Sequence, residues 1–269
     1  MAGAAIELRN VTKRFATPRG GIYTALRDLT MQVAPGEFCA VVGPTGCGKS
    51  TTLALVSGLE RASAGEVLVM GEPVRGIPDG IGYVFQTDAV FPWKTVLENV
   101  AAGPRYHGRR GPDARKQARE WITRVGLAGF EDRYPYQLSG GMRKRVGLAQ
   151  SLINGPRILL MDEPFSALDV QTRTLMENEL LSLWAASSAS VVFVTHDLEE
   201  AIALSDRVFL MTAGPGTIKG TYKVDLPRPR NVAEIRFDPS FTTIYETIWQ
   251  QLRDEVLVSY ERQKHAAAS

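Results

Sequence analysis

The chain has 269 residues, 44% of them hydrophobic and 22% charged, which is enough apolar material for one large folded core. With 31 Lys and Arg against 29 Asp and Glu, the formal net charge of +2 argues against a dedicated nucleic-acid-binding protein. Two cysteines, Cys39 and Cys47, cannot form a disulfide framework or a zinc site, and no apolar run is long enough to span a bilayer. We therefore expect a soluble protein of a reducing compartment, with any membrane role requiring a partner.

The first third of the chain is predicted to consist mainly of strands. Short apolar runs alternate with turn residues over 5–33, and Phe38–Val42 is a compact apolar run. A glycine-rich turn follows that run, and residues 51–59 after it are compatible with a helix. Two more strands are predicted at 66–70 and 81–85. The pattern indicates a strand–loop–helix unit near the start of the protein.

The character of the sequence becomes helical from about residue 90 to residue 155. Strand patterns return at 158–161 and 191–194, and a helix is predicted between them over 169–184, with Asp169 as its N-cap. Strands that alternate with helices predict an α/β protein whose parallel sheet is covered on both faces.

The C-terminal region begins with Leu-Pro-Arg-Pro-Arg at 226–230, which resembles a linker. An apolar stripe at helical spacing follows, formed by Phe241, Ile244, Ile248, Leu252 and Val256. The simplest interpretation is a helix that packs back on its own domain. The alternative is a regulatory or dimer-contacting tail.

A phosphate-binding loop is predicted where the chain reads Gly-Pro-Thr-Gly-Cys-Gly-Lys-Ser-Thr, which matches G-x-x-x-x-G-K-[ST]. Glycines let successive N–H groups face phosphate oxygens, and the following helix directs its N-terminus at the same anion. We expect Lys49 to reach the β- and γ-phosphates and Ser50 to offer its hydroxyl to Mg²⁺. A plain glycine turn is the alternative, and a bulky reagent on Cys47 is expected to block nucleotide binding. The predicted nucleotide-binding residues are Gly43, Pro44, Thr45, Gly46, Cys47, Gly48, Lys49, Ser50 and Thr51.

Polar side chains end two later strands. Asp162 and Glu163 follow a buried apolar run, where a charge pair is costly without a partner, and Mg²⁺ is the natural one. We predict that Asp162 holds Mg²⁺ through water and that Glu163 orients or deprotonates the attacking water, unless the pair caps the next helix. His196 ends the other strand at the sheet edge where ligands bind, which favours contact with the γ-phosphate or its water over a structural role.

Residues 138–142, Leu-Ser-Gly-Gly-Met, resemble the signature motif of ABC transporter ATPase subunits. Ser139 can cap a helix while Gly140 and Gly141 expose N–H groups, which makes the segment a second anion site. The resemblance implies a P-loop NTPase (RecA-like) α/β core with a mainly parallel sheet, an antiparallel β subdomain and an inserted helical subdomain. It also implies a head-to-tail dimer in which this signature closes on an ATP held by the phosphate loop of the other subunit.

The same resemblance assigns several further residues. Gln86 corresponds to the glutamine that senses Mg²⁺ and the attacking water, as a catalytic residue and a metal ligand, and His196 corresponds to the switch histidine. Asp169 lies in the loop that crosses the dimer interface at the nucleotide. Phe15 occupies the place of the aromatic that stacks on adenine, although it is alternatively a core strand residue, and Tyr23 is a weaker candidate for the stacking.

Residues 91–96, Phe-Pro-Trp-Lys-Thr-Val, together with 227–230 and 248–253, are similar to importers of the nitrate/sulfonate/taurine group. This likeness implies an importer ATPase for a small anion at the cytoplasmic face of the cell (inner) membrane. Its partners would be a second ATPase subunit, permease subunits and, indirectly, a periplasmic or extracellular substrate-binding protein. Trp93 is then either a docking aromatic for the permease or part of the core. An exporter ATPase and a non-transport ABC ATPase are the alternatives.

The expected domain organisation follows from these motifs. A nucleotide-binding domain is expected over 1–228, with the helical subdomain inserted at about 88–155. A helical extension is expected over 229–269.

Overall fold

The computed structural model describes residues 3–18, 20–87, 89–187 and 189–267, so the expected boundaries at residues 1, 88 and 269 lie outside the described residues. The strands are β1 (Ile6–Ala16), β2 (Ile22–Val33), β3 (Phe38–Val42), β4 (Ala64–Val69), β5 (Glu72–Pro73), β6 (Ile81–Val84), β7 (Ile158–Asp162), β8 (Ser190–Val194), β9 (Arg207–Met211) and β10 (Ile218–Lys223). The helices are α1 (Lys49–Val56), α2 (Val96–Val100), α3 (Ala102–Tyr106), α4 (Gly111–Arg124), α5 (Gly140–Leu152), α6 (Val170–Ala185), α7 (Leu198–Leu204), α8 (Val232–Ile235) and α9 (Pro239–Ala267).

Two sheets organise the described part of the chain. One has the order β10-β9-β3-β8-β7-β6, and its neighbouring strands are parallel except for β10, which pairs antiparallel with β9. The other is antiparallel, with the order β2-β1-β4-β5. The predicted mainly parallel sheet and antiparallel β subdomain are therefore confirmed. No prediction from the sequence covered β9 or β10.

The parallel sheet is buried on both faces. Every residue of β3, β7 and β8 is buried, which explains their continuous apolar sequences. Alternate residues of β3 enter different cores, since Phe38 packs with α6 and α7 residues whereas Cys39 packs with α1 and the antiparallel sheet. The carboxyl ends of these strands are thereby fixed at one edge.

Helices α2 to α5 lie between β6 and β7 in the chain and share a separate apolar cluster that includes Val100, Ile122 and Val146. Thr95 caps α2 in a capping box, because its Oγ1 accepts from the Glu98 N–H at 3.3 Å while the Glu98 carboxylate accepts from the Thr95 N–H at 3.0 Å. Trp93, just before this cap, is 70% exposed, so the alternative that places it in the core is wrong.

The expected linker at 226–230 is instead anchored to the core. Arg228 Nε donates to Asp206 Oδ1 at 2.9 Å, and its guanidinium lies 4.3 Å from the ring centroid of Trp184. Arg230 is buried, and burial lowers the pKa of its guanidinium to about 10. Arg230 donates to carbonyls near the end of α7 and in the segment after β10, those of Ile202, Ala203, Ser205, Val224 and Leu226.

Helix α9 packs back on its own core, as its sequence pattern predicts. Phe241, Ile248 and Leu252 are buried in the cluster that also holds α6 and α7 residues, whereas Val256 is exposed. The division of the chain at residue 228 stays a prediction. Within the described ranges, no helix combines the length and apolar character that crossing a bilayer requires.

Candidate active site

The phosphate-loop sequence forms a tight turn between β3 and α1. Gly46 and Gly48 adopt φ values of 78° and 103°, in the region that favours glycine. A Cβ on Gly48 would lie 2.5 Å from Leu26 Cδ2, and one on Gly43 would lie 2.9 Å from Cys47 Sγ. The glycines of the motif are therefore required by backbone conformation and by space. The turn leads directly into the N-terminus of α1, an arrangement suited to an anion.

Lys49 is held inside this turn. Lys49 is only 6% exposed, and its Nζ donates to the carbonyls of Gly43 at 2.8 Å and Pro44 at 3.2 Å. A buried ammonium of this kind places a positive charge within the loop that is predicted to carry the triphosphate.

Ser50 and Asp162 join the phosphate loop to the end of β7. Ser50 Oγ donates to Asp162 Oδ1 at 3.1 Å, and Asp162 is 6% exposed. Burial raises the pKa of Asp162, and the hydrogen bond from Ser50 opposes that shift. A hydroxyl and a carboxylate are hard oxygen donors that fit Mg²⁺. In the described ranges, no three His, Cys, Asp or Glu side chains form a metal site of their own.

Glu163 contacts both of the other predicted catalytic residues, Gln86 and His196. Its Oε2 accepts a hydrogen bond from Gln86 Nε2 at 3.1 Å and lies 3.1 Å from His196 Nδ1. The three side chains follow β6, β7 and β8, so the sheet brings them to one edge. Glu163 also adopts φ +44°, a conformation uncommon outside glycine. The His196 side chain is 58% exposed, so it is not a buried structural histidine.

The alternative role for the acid pair, capping the next helix, is wrong. Asp169 caps α6 instead, because its Oδ1 accepts from the Thr172 N–H at 3.0 Å. Hydrogen bonds from the backbone and the side chain of Thr172 hold the pKa of Asp169 below its usual value. The predicted cap of α6 is thereby confirmed, and Asp162 and Glu163 remain available for chemistry.

A cleft of about 360 Å³ lies over the phosphate loop. Phe15 and Tyr23 are paired across β1 and β2 and both line it. Phe15 is half-buried and belongs to none of the buried clusters, and Lys13 Nζ lies 4.6 Å from its ring centroid. The cleft is lined by Phe15, Tyr23, Ala25, Thr45, Gly46, Gly48, Lys49, Ser50, Thr51, Gln86 and Glu163.

The signature segment lies outside this cleft. Ser139 is exposed and caps α5, with its Oγ accepting from the Met142 N–H at 3.3 Å. Gly140 and Gly141 open α5, and a Cβ on Gly141 would lie 3.0 Å from Leu168 Cδ2. None of the three predicted anion-binding residues, nor Asp169, lines the cleft among the described residues.

Both cysteines are buried. Cys39 lies within β3, as expected, and burial raises the pKa of Cys39 and of Cys47. Because Cys47 is buried, a thiol reagent can reach it only if the phosphate loop opens. The sequence pattern did not indicate that Cys47 would be buried.

A phosphate loop that joins a parallel strand to a helix, with an acid pair at the end of a second strand of the same sheet, defines a P-loop nucleoside-triphosphate hydrolase. The profile of the ABC transporter family matches residues 26–166. The chain belongs to the ABC transporter ATP-binding family, and it is an ATPase that uses ATP and Mg²⁺. The predicted family and fold class are both confirmed.

Relatives and solved structures give the same result. An uncharacterised ABC transporter ATP-binding protein of Methanocaldococcus jannaschii is 45% identical over 254 residues, 94% of this chain and 93% of that protein. The aliphatic sulfonates import ATP-binding protein SsuB of Bacillus thuringiensis is 38% identical over 256 residues, 95% of this chain and 96% of SsuB. A dimeric ATP-binding cassette in a post-hydrolysis state, bound to ADP and Pi, is 31% identical with a TM-score of 0.75, covering 82% of this chain and 100% of the cassette.

Proposed function

We propose that this protein is the ATP-hydrolysing subunit of an importer for a small anion, such as nitrate, a sulfonate or taurine. The observation that carries the proposal is the similarity to SsuB, an aliphatic sulfonates import protein, along 95% of this chain. The likeness of residues 91–96 to importers of this group supports it independently of the phosphate motifs.

In the proposed site, the loop 43–51 holds the triphosphate and Phe15 stacks on adenine, opposite the phosphate end of the cleft. Ser50, Asp162 and Gln86 hold Mg²⁺, which neutralises phosphate charge when bound. Glu163 accepts the proton of the attacking water. Gln86 Nε2 and His196 Nδ1 both contact Glu163 Oε2, so they fix the orientation of the carboxylate.

The proposed assembly is a head-to-tail homodimer around two Mg-ATP. Ser139, Gly140, Gly141 and Asp169 of one copy complete the nucleotide site of the other, a role supported by their position outside their own cleft. Shifting the dimer from 1:99 to 99:1 closed requires about 5.5 kcal/mol of differential binding, which two nucleotides with several charge-assisted hydrogen bonds can supply. Hydrolysis removes the bridging charge, and the dimer reopens.

The proposed permease contact is the exposed aromatic surface formed by Trp93 and Tyr106. These residues are 70% and 77% exposed, and Lys94 Nζ lies 5.5 Å from the Tyr106 ring centroid. Exposed aromatics of this kind are enriched at protein interfaces. Docking here would place the protein peripherally at the cytoplasmic face of the membrane, with the substrate-binding protein engaged through the permease.

The test is reconstitution with the permease and the binding protein encoded by neighbouring genes. We expect ATP inside the vesicles to drive uptake of an aliphatic sulfonate, nitrate or taurine. Trp93→Glu should abolish co-purification with the permease and leave soluble ATPase activity intact. Tyr136→Glu, at another exposed aromatic of the same helical region, is the matched control. Extrusion instead of uptake, or co-purification unaffected by Trp93→Glu, would contradict the proposal.

A further inference from the structure

The loop 212–217 between β9 and β10 connects the C-terminal helix to the nucleotide site. Thr212 closes this loop, because its N–H donates to the Thr217 carbonyl at 3.0 Å and its Oγ1 accepts from the Thr217 N–H at 3.1 Å. The loop belongs to none of the motifs discussed above. Its two sides nevertheless contact two functionally different parts of the molecule.

On its inner side, the loop pairs with β2. The Gly216 N–H donates to the Ala25 carbonyl at 2.8 Å, and the Arg27 N–H donates to the Gly216 carbonyl at 3.0 Å. Ala25 lines the nucleotide cleft, and so does Tyr23 two residues earlier. The loop therefore fixes the strand that forms one wall of the cleft.

The same side of the loop touches the backbone of the phosphate loop. A Cβ on Gly216 would lie 1.9 Å from the Cys47 carbonyl oxygen, so no larger residue fits there. A Cβ on Gly214 would lie 3.5 Å from the Gly46 carbonyl oxygen and 3.8 Å from the Tyr23 hydroxyl. A shift of this loop cannot leave the phosphate loop undisturbed, because the two backbones are in direct contact.

On its outer side, the loop is held by polar side chains of α9. Glu255 Oε2 accepts from the Ala213 N–H at 2.8 Å, and Glu255 Oε1 lies 2.9 Å from Lys219 Nζ. Lys219 also donates to the Gln251 carbonyl at 3.1 Å, and Arg262 donates to the Gly214 carbonyl. Burial opposes the charged form of Glu255, but the hydrogen bonds from Lys219 and Ala213 outweigh burial and hold the pKa of Glu255 below its usual value.

Over residues 253–262, α9 is attached to the loop by these polar contacts. Leu252 is buried, but Val256, Leu257 and Tyr260 are all exposed. A helical segment with little buried apolar surface separates from its domain at low free-energy cost. Among the described side chains of 253–262, Glu255 and Arg262 are the ones that form hydrogen bonds with the loop 212–217.

We propose that Glu255 is a positioning residue for nucleotide binding, through which the docking of α9 and the binding of ATP stabilise each other. Glu255 fixes the loop 212–217, and that loop fixes the phosphate loop and the Tyr23 wall of the cleft. Coupling between two binding equilibria is reciprocal, so ATP must hold the distal half of α9 more firmly in place. This inference goes beyond the transport proposal and does not depend on the solute that is carried.

The first test measures the affinity of the full-length protein for Mg²⁺ and the non-hydrolysable analogue AMP-PNP by titration calorimetry. Glu255→Ala should raise the Kd by up to about tenfold, the limit reached if the free energy of one charge-assisted hydrogen bond is fully coupled to nucleotide binding. Glu255→Gln keeps an acceptor for the Ala213 N–H and should raise it less. Asp254→Ala removes the neighbouring exposed carboxylate and should leave the Kd within about twofold. A lower melting temperature with an unchanged Kd for Glu255→Ala would overturn the proposal.

The second test follows amide hydrogen exchange, which a purely structural role of Glu255 would not couple to nucleotide. AMP-PNP should slow exchange across 251–262 and at Ala213 in the wild type and in Asp254→Ala, but not in Glu255→Ala. If nucleotide leaves exchange of 251–262 unchanged in the wild type, the coupling does not exist. The outcome is independent of the uptake assay, so failure of either proposal can be recognised separately.

Discussion

The phosphate loop and the signature segment are both predicted to bind anions, but they differ in what surrounds them. Lys49 is buried and hydrogen-bonded within its own loop, and the cleft above it already contains Gln86 and Glu163. Ser139 is exposed, and its side chain is used to cap α5. The first N–H groups of α5 lack partners within the helix. This difference favours the proposal that the phosphate loop binds nucleotide within a single copy, whereas the signature segment acts across an interface between two copies.

The largest effect is expected from Glu163→Gln, which keeps the shape of the side chain but removes its basicity. Hydrolysis should fall by about 10²–10⁴-fold, and an ATP-bound dimer should accumulate. Phosphate release and light scattering after gel filtration measure the two effects. Glu120→Gln, on the exposed side of α4, is the control. Turnover close to wild type would contradict the assignment of Glu163 as the general base.

Lys49→Ala should weaken ATP binding by about 100-fold, because it removes the ammonium and leaves the carbonyls of Gly43 and Pro44 without their donor. Calorimetric titration of a single copy measures the loss, with the exposed Lys116→Ala as the control. An unchanged affinity would mean that the turn does not bind the triphosphate.

Ser139→Ala should leave the ATP affinity of a single copy unchanged and lower dimer-dependent hydrolysis by about tenfold. Thr95→Ala is the matched control, because it removes a side-chain cap from another helix of the same region at a similar cost of about 1 kcal/mol. Hydrolysis rates at saturating ATP separate the two variants. Equal losses in both would indicate that Ser139 only stabilises α5.

An effect as small as that of Ser139→Ala is expected from Phe15→Ala. Loss of stacking on a base costs about 1–3 kcal/mol in other systems, so the Kd for ATP should rise about tenfold. Affinity for tripolyphosphate, which has no base, should not change. Tyr23→Ala tests the other aromatic of the same strand pair. If Tyr23→Ala alone weakens ATP binding, the stacking residue is Tyr23.

The parts of the site that were predictable from sequence are those encoded by local spacing. The phosphate loop, the acid pair at the end of β7 and the Asp169 cap each depend on neighbouring residues, and the structure places them where the pattern predicts. The meeting of Gln86, Glu163 and His196 at one oxygen could not be derived from spacing. It depends on the strand order and on the φ of +44° at Glu163.

The parts that were not predictable depend on contacts between distant segments. Gly216 looks like an ordinary turn glycine in the sequence, yet its backbone contacts Cys47, about 170 positions earlier. Strands β9 and β10 were not predicted either. Their places in the sheet depend on pairing with β3 and with each other, which are contacts that the local sequence does not indicate. Trp93 showed no signal that decided between core and surface, because an aromatic next to a proline occurs in both.

Arg230 sets a lower limit on the size of a catalytically competent fragment. Its guanidinium supplies donors to carbonyls at the end of α7, a helix of 7 residues whose cap, Asp197, directly follows His196. A chain shortened at residue 228 would leave those carbonyls without the donors of Arg230. We expect this loss to destabilise the end of α7, and His196 lies just before the start of the same helix. Any attempt to trim this protein to a minimal hydrolase should therefore retain Arg230 and the buried part of α9.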